Sequence, residues 1–116
     1  MAAEEYTLRV RVEGEVRTRQ HLGLDEALSE LEADGRELEA SAHERPQGGT
    51  LIRRLEPVQI VVARLEVSGP RRLHAGVDVR GDGSSEAFTG RVRRRVVEQR
   101  QGESAYDALR RELGAP

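Results

Sequence analysis

Apolar side chains recur at every second position in several stretches of this chain, and this period constrains the fold more than any other feature. The stretches Tyr6–Glu13 and Leu73–Val79 alternate apolar residues with charged residues, polar residues or glycine. Val16–Leu22 resumes the alternation after Gly14, which predicts a hairpin with one apolar face. Because successive side chains of a strand point to opposite faces, these stretches predict half-buried strands. The most apolar run, Val58–Val67, is the best candidate for a central strand.

Helical spacing replaces the alternation after the hairpin. Apolar residues within Leu24–Leu31 recur three or four positions apart, and acidic residues occupy the first turn, where the helix dipole favours them. Gly35 is placed to end a helix, which is therefore expected over Leu24–Asp34. The residues Leu38–Ala42 predict a short strand, although they also continue the helical stripe. The conformation of Arg36–Glu44 is therefore open between a strand and a longer helix.

A second helix is predicted near the end of the chain. Ser104 and Asp107 have the side-chain oxygens of a capping box, so the helix is expected to begin at Ser104. Its apolar stripe consists of Tyr106, Leu109 and Leu113.

The arginine-rich stretch that begins at Arg91 and leads into this helix is predicted to be a strand. If Val92 and Val96 point inward, the alternation also turns Arg94 inward, where an unpaired guanidinium would be too costly. Arg94 is therefore expected to pair with an acid, to reach past the core edge, or to mark a bulge or an edge strand. We favour a bulge or an edge position.

These patterns together predict an α+β fold. A mainly antiparallel sheet of about five to seven strands carries two helices on one face, in the order ββα-β(β)βββ-α. The length of 116 residues suits one domain over residues 1–116, with frayed termini. A loop is expected at Arg45–Gly49 and an extended piece at Thr50–Glu56, with turns at Ser68–Arg71 and Gly81–Ser85.

The composition argues against several kinds of site. The chain has no cysteine, which excludes a disulfide framework, a thiolate metal site and a cysteine nucleophile. Its three histidines are scattered over different predicted elements without the spacing of a helical metal pair. The serines lie in no nucleophile-elbow sequence, and the paired glycines open no helix after a strand. We therefore predict no catalytic residue, no metal and no cofactor, and we expect a protein that is not an enzyme.

The sequence predicts no association with a membrane. No stretch approaches the roughly 20 apolar residues of a membrane-spanning helix, and the first residues lack a basic region followed by a long apolar core. A cytoplasmic location is expected.

Charge is distributed unevenly along the chain. Residues 24–44 carry a net charge of -7 and residues 45–100 carry +6, within a total of -2. If the apolar faces of the strands meet the helices, a set of basic residues is expected to project together from the opposite face. This set comprises Arg9, Arg11, Arg17, Arg19, Arg91, Arg93 and Arg95, together with His21.

Such a face predicts a non-enzymatic binding module for an anionic partner, either nucleic acid or a ribonucleoprotein, because guanidinium groups bind phosphate in a bidentate manner. With only three aromatic residues in the chain, base stacking is not expected to contribute. The alternative is an assembly subunit whose arginines pair with acids across strands and which self-associates, in that case as a twofold homodimer through a sheet edge. The acids available for such pairing are Glu13, Glu15, Glu66 and Glu98.

Overall fold

The structure is a computed structural model, and it describes residues 4–42 and 60–115. Six strands form one antiparallel sheet in the order β2-β1-β3-β4-β5-β6. Two helices, α1 and α2, pack on one face. The predicted α+β fold is therefore confirmed. The elements are β1 (Glu5–Val12), β2 (Glu15–Leu22), α1 (Leu24–Ala40), β3 (Val61–Gly69), β4 (Leu73–Arg80), β5 (Ser85–Thr89), β6 (Arg95–Val97) and α2 (Ala105–Glu112).

The core is a single layer between the sheet and the two helices. Residues directly opposite one another on adjacent strands share a face, and Val10 lies opposite Leu65, which lies opposite Val77. All three side chains are buried, as are most of the apolar residues of both helices, among them Leu28 and Leu31 of α1 and Tyr106 and Leu109 of α2. The alternation in the sequence thus confines the core to one face. We call the helix-free face of the sheet the open face.

Helix α1 is longer than predicted. The expected strand at Leu38–Ala42 is wrong, because α1 continues through Gly35 to Ala40. The ring of Tyr106 from α2 packs directly on Gly35, where a Cβ atom would overlap the Tyr106 hydroxyl and lie 2.8 Å from two ring carbons. Gly35 is therefore a point of close helix–helix contact rather than the end of a helix.

The last strand has the opposite phase to the one predicted. The side chain of Val92 is 92% exposed and that of Val96 is 58% exposed, whereas Val97 is buried. Residues 91–94 precede β6 without forming a strand, and β6 is an edge of the sheet. Arg94 lies just before this edge strand. Its guanidinium lies 3.6 Å from the Glu66 carboxylate, which agrees with the expected alternative of pairing with an acid.

The capping box predicted at the start of α2 is confirmed. The Asp107 amide donates to Ser104 Oγ at 3.0 Å, and the Ser104 amide donates to the Asp107 carboxylate at 3.1 Å.

Three predicted segments lie wholly or partly outside the described residues: the loop at Arg45–Gly49, the extended piece at Thr50–Glu56 and the first residues of the strand Val58–Val67. That residues 1–116 form one domain stays a prediction.

We expect Gly35→Ala to lower the free energy of unfolding by about 1–3 kcal/mol, because the added methyl group meets the Tyr106 ring. In an unobstructed helix the same change would stabilise by about 1 kcal/mol. Urea unfolding followed by circular dichroism measures the difference. Glu37→Ala, at an exposed position of α1, is the control and is expected to change stability by less than about 0.5 kcal/mol. Equal or greater stability of Gly35→Ala would contradict the packing role.

The carboxylate of Glu103 links the connection between β6 and α2 to helix α2 through hydrogen bonds. It accepts hydrogen bonds from the Arg111 guanidinium at 2.9 and 3.0 Å and from the Arg100 amide at 2.8 Å. The bonds to Arg111 above all, and then the one to the Arg100 amide, lower the pKa of Glu103 from its ordinary value of 4.5 to about 2. A carboxyl group with a lowered pKa in the folded state stabilises the fold above its unfolded pKa and loses this effect on protonation.

Glu103 should therefore make a stabilising contribution that is complete above pH 4.5 and disappears as the pH falls from 4.5 to about 2. Glu103→Gln should be less stable than the parent chain at neutral pH, with the two converging at the acidic end of this window. Thermal unfolding at several pH values tests this. Glu37→Gln, at an exposed position of α1, is the matched control for the loss of one carboxylate. A constant difference between Glu103→Gln and the parent would refute the assignment.

Candidate anion-binding groove

A groove with a volume of about 760 Å³ crosses the open face of the sheet. Strands β1 and β3 form its floor, and the turn between β3 and β4 and the connection before β6 form its walls. Six of its lining side chains are arginines and only one is a carboxylate. The lining residues are Arg9, Arg11, Arg64, Glu66, Ser68, Gly69, Arg72, Leu73, His74, Arg91, Val92 and Arg94.

Phe88 anchors one side of the groove. It lies on the open face opposite Gly76, and a Cβ atom on Gly76 would overlap the Leu65 carbonyl oxygen and lie 2.8 Å from the Phe88 ring. The missing side chain of Gly76 thus lets the ring lie against the sheet. The guanidinium of Arg94 sits 4.6 Å from the ring centroid and that of Arg64 sits 5.8 Å from it. Both distances are within the range of cation–π attraction.

Arg64 is held by a bidentate ion pair. Its Nε and Nη2 atoms donate to the two carboxylate oxygens of Asp78 at 2.6 and 3.1 Å, directly across the β3–β4 pair. Hydrogen bonding to Asp78 raises the pKa of Arg64 above its usual value. Arg64 is therefore oriented before any ligand arrives, with its positive charge partly compensated.

Glu66, the one carboxylate in the lining, is also engaged. His74 Nε2 lies 2.9 Å from Glu66 Oε2, and Arg94 lies 3.6 Å from the same atom. The other ring nitrogen of His74, Nδ1, is 3.2 Å from the carbonyl oxygen of Gly90. Glu66 therefore already has a cationic partner in Arg94 and a second close contact in the His74 ring.

Four arginines of the groove have no acidic partner in the described part of the chain. Arg9 and Arg11 project from β1, Arg72 comes from the turn before β4, and Arg91 comes from the connection before β6. Within residues 4–42 and 60–115 none of the four forms a salt bridge. Positive charge in the groove therefore exceeds negative charge.

The residues of the predicted basic face do not all lie on one face of the sheet. Arg9, Arg11 and Arg91 line the groove, and Arg93 lies in the same connection as Arg91 but outside the lining. Arg95 lies opposite Thr89, in the row of positions that faces the helices. The prediction that Arg95 shares a face with Arg9 is therefore wrong.

The predicted face is also wrong for β2. Arg17 lies opposite Val10, and Arg19 lies opposite Leu8, so both belong to the helix side, as does His21. Arg19 there bonds to Asp34 of α1 at 2.6 Å. The physical reason is the two-residue turn, which pairs Val12 with Glu15 and so fixes the phase of the whole hairpin.

Sequence reasoning missed three lining arginines. Arg64 lies in the apolar run that was predicted to be a central strand. The only sequence signal for its place on the open face is the alternation, which turns its side chain away from the core. Arg72 belongs to a turn, which strand alternation does not describe. The sequence indicated for Arg94 only that its guanidinium should not be buried without a partner. The pairing of β1 with β3, which are far apart in sequence, brings these residues together.

Two structural features are absent from the described residues. No helix there is long and apolar enough to cross a membrane. No group of three or more histidine, aspartate or glutamate side chains in residues 4–42 and 60–115 is arranged to hold a metal ion.

Comparison of the chain with protein-family models, with curated proteins and with solved structures finds no match in any of the three.

We expect Phe88→Leu to lower the free energy of unfolding by about 1–2 kcal/mol, because the change removes ring contacts with Arg94 and Arg64 and shortens a buried side chain. Chemical denaturation monitored by circular dichroism gives the value. Val92→Leu is the control, since that side chain is almost fully exposed. An unchanged stability of Phe88→Leu would show that the ring does not anchor the groove.

Proposed function

We propose that this protein is a non-enzymatic binding module whose groove holds the phosphate backbone of a single-stranded nucleic acid. The observation that carries the proposal is the convergence of Arg9, Arg11, Arg72 and Arg91 in one groove without acidic partners in the described part of the chain. Guanidinium groups bind phosphate oxygens in a bidentate manner, which favours this ligand.

The state of the acidic groups supports the proposal. Asp78 is bound by Arg64, and Glu66 is bound by His74 and Arg94. An approaching phosphate therefore meets carboxylates whose charge is already balanced. On an ordinary solvated face, the other four arginines of the groove would be expected to form ion pairs as well.

The shape of the site favours a single strand over a duplex. Proteins that read duplex DNA in its major groove insert a protruding helix or β-ribbon. Here the arginines lie in a recess bordered by the turn at Arg72 and the connection at Arg91. An extended strand of nucleic acid can enter such a recess.

The proposed contacts carry little sequence preference. Base stacking requires an accessible aromatic face, but Phe88 is only 4% exposed, beneath Arg64 and Arg94. Tyr6 and Tyr106 are buried with the core on the other side of the sheet. Binding then depends on phosphate contacts, and these are largely insensitive to base sequence.

Fluorescence anisotropy with a labelled single-stranded RNA of about a dozen nucleotides tests the proposal. With about four phosphates neutralised, a logarithmic plot of the association constant against salt concentration should have a slope of about -3. Arg9→Gln combined with Arg11→Gln should weaken binding at low salt by about tenfold and make the slope shallower by about 1.4.

The matched control combines Arg93→Gln with Arg95→Gln, which removes two charges that were predicted to bind but lie outside the groove lining. A change of about twofold, from reduced long-range attraction, is expected for this variant. An absence of salt-sensitive binding by the parent chain at low ionic strength would refute the proposal. Equal losses of RNA affinity in both double variants would refute the assignment to the groove. If a duplex of the same sequence binds more tightly than the single strand, the ligand is a duplex and not a single strand.

The cellular setting is also part of the proposal. A cytoplasmic location would give the protein access to RNA, and a ribonucleoprotein would present the same phosphates as free RNA. Both statements stay predictions from the sequence.

A further inference from the structure

Strand β2 leaves one complete edge of the sheet unpaired among the described residues. It is eight residues long, whereas β6 at the other edge has three. An edge of this length offers a row of free N–H and C=O groups to another strand. The described residues include five exposed large apolar side chains, and two of them, Val16 at 49% and Leu22 at 62%, also lie on β2.

The turn determines which backbone groups of β2 are free. Glu13 and Gly14 have φ angles of 51° and 82°, as in a type I′ turn, so the flanking pair Val12 and Glu15 is hydrogen-bonded. The bond from the Gly23 amide to the Glu4 carbonyl, 2.8 Å long, continues the same ladder. Hydrogen-bonded pairs alternate along an antiparallel ladder. The outward-facing backbone groups of β2 therefore belong to Val16, Thr18, Gln20 and Leu22.

We propose that β2 pairs with β2 of a second copy of this chain, antiparallel about a twofold axis at Arg19. This register makes Val16 face Leu22 of the second copy and Thr18 face Gln20, so all four outward-facing residues are used. An axis at Thr18 or at Gln20 would leave at least one of these residues without such a partner. In each of the two Val–Leu pairs, apolar side chains on the open face cover one another.

Charges on the other face are compatible with this register. Arg17, which has no salt bridge among the described residues, comes opposite His21 of the second copy. His21 Nδ1 lies 3.5 Å from Glu26 Oε1, so Arg17 approaches an exposed carboxylate. The two Arg19 side chains face each other, which disfavours pairing, but each is already bonded to Asp34 at 2.6 Å and lies 3.5 Å from Glu30.

The dimer would join the two open faces into one surface. A twofold axis perpendicular to the sheet keeps both open faces on the same side. The two β1 strands would then be three strand spacings apart, about 14 Å. The rows containing Arg9 and Arg11 would face the same way, although dimer formation itself does not depend on nucleic-acid binding.

Sedimentation velocity of the unmodified chain across micromolar concentrations is the first test. We expect a concentration-dependent monomer–dimer equilibrium, and a monomer at every concentration would overturn the proposal. Such a monomer could still bind RNA, so this failure is distinct from failure of the proposed function. Val16→Glu combined with Leu22→Glu should weaken dimerisation by about tenfold or more. The control Val92→Glu, an equally drastic change elsewhere on the surface, should leave dimerisation unchanged.

Single-cysteine variants test the register, and the chain contains no other cysteine. At the axis, Arg19 forms a non-hydrogen-bonded pair with its counterpart, with Cα atoms about 4.5 Å apart, a distance that permits a disulfide. Arg19→Cys should therefore form a cross-linked dimer on mild oxidation. Thr18→Cys and Gln20→Cys should not, because each residue lies two positions from its counterpart. Cross-linking at Thr18 or Gln20 but not at Arg19 would overturn the register, and circular dichroism verifies that each variant is folded.

Discussion

The structure depends on the antiparallel register that joins β1, β3 and β4. It aligns Val10, Leu65 and Val77 in one row on the face of the sheet where the helices pack, and this burial supplies the main driving force for folding. Because side chains alternate along a strand, every residue fixed in the core fixes its neighbours on the open face. Arg11 and Arg64 are therefore brought side by side by the same register that builds the core.

One aromatic ring modifies this otherwise polar face. Phe88 lies in the space left by Gly76, and it supports Arg94 and Arg64 while remaining buried itself. The same two arginines bind the nearby carboxylates of Glu66 and Asp78, which leaves the arginines on β1 and in the two bordering connections without acidic partners in the described residues. This separation into paired and unpaired arginines is what distinguishes the groove from an ordinary charged surface.

Local patterns predicted the elements better than their relative placement. Alternation identified the hairpin strands and β4, and the capping box identified α2, because both signals are contained within a few residues. The role of Gly35 depends on a helix distant in sequence, so a local rule assigned it wrongly. The phase of Arg17 and Arg19 is set by turn geometry rather than by composition. About half of the groove arginines were predicted, whereas Arg64 and Arg72 join the site only through long-range strand pairing.

We propose that the open face, and not the helix side, receives the phosphate backbone. The most direct measurement is a titration of the isotope-labelled protein with single-stranded RNA, followed by NMR chemical shifts of backbone amides and arginine side chains. We predict that the largest changes occur at Arg9, Arg11, Arg72 and Arg91 and decrease as salt is added, with little change in α1 and α2. Changes concentrated in the two helices, or spread evenly over both faces, would contradict the account.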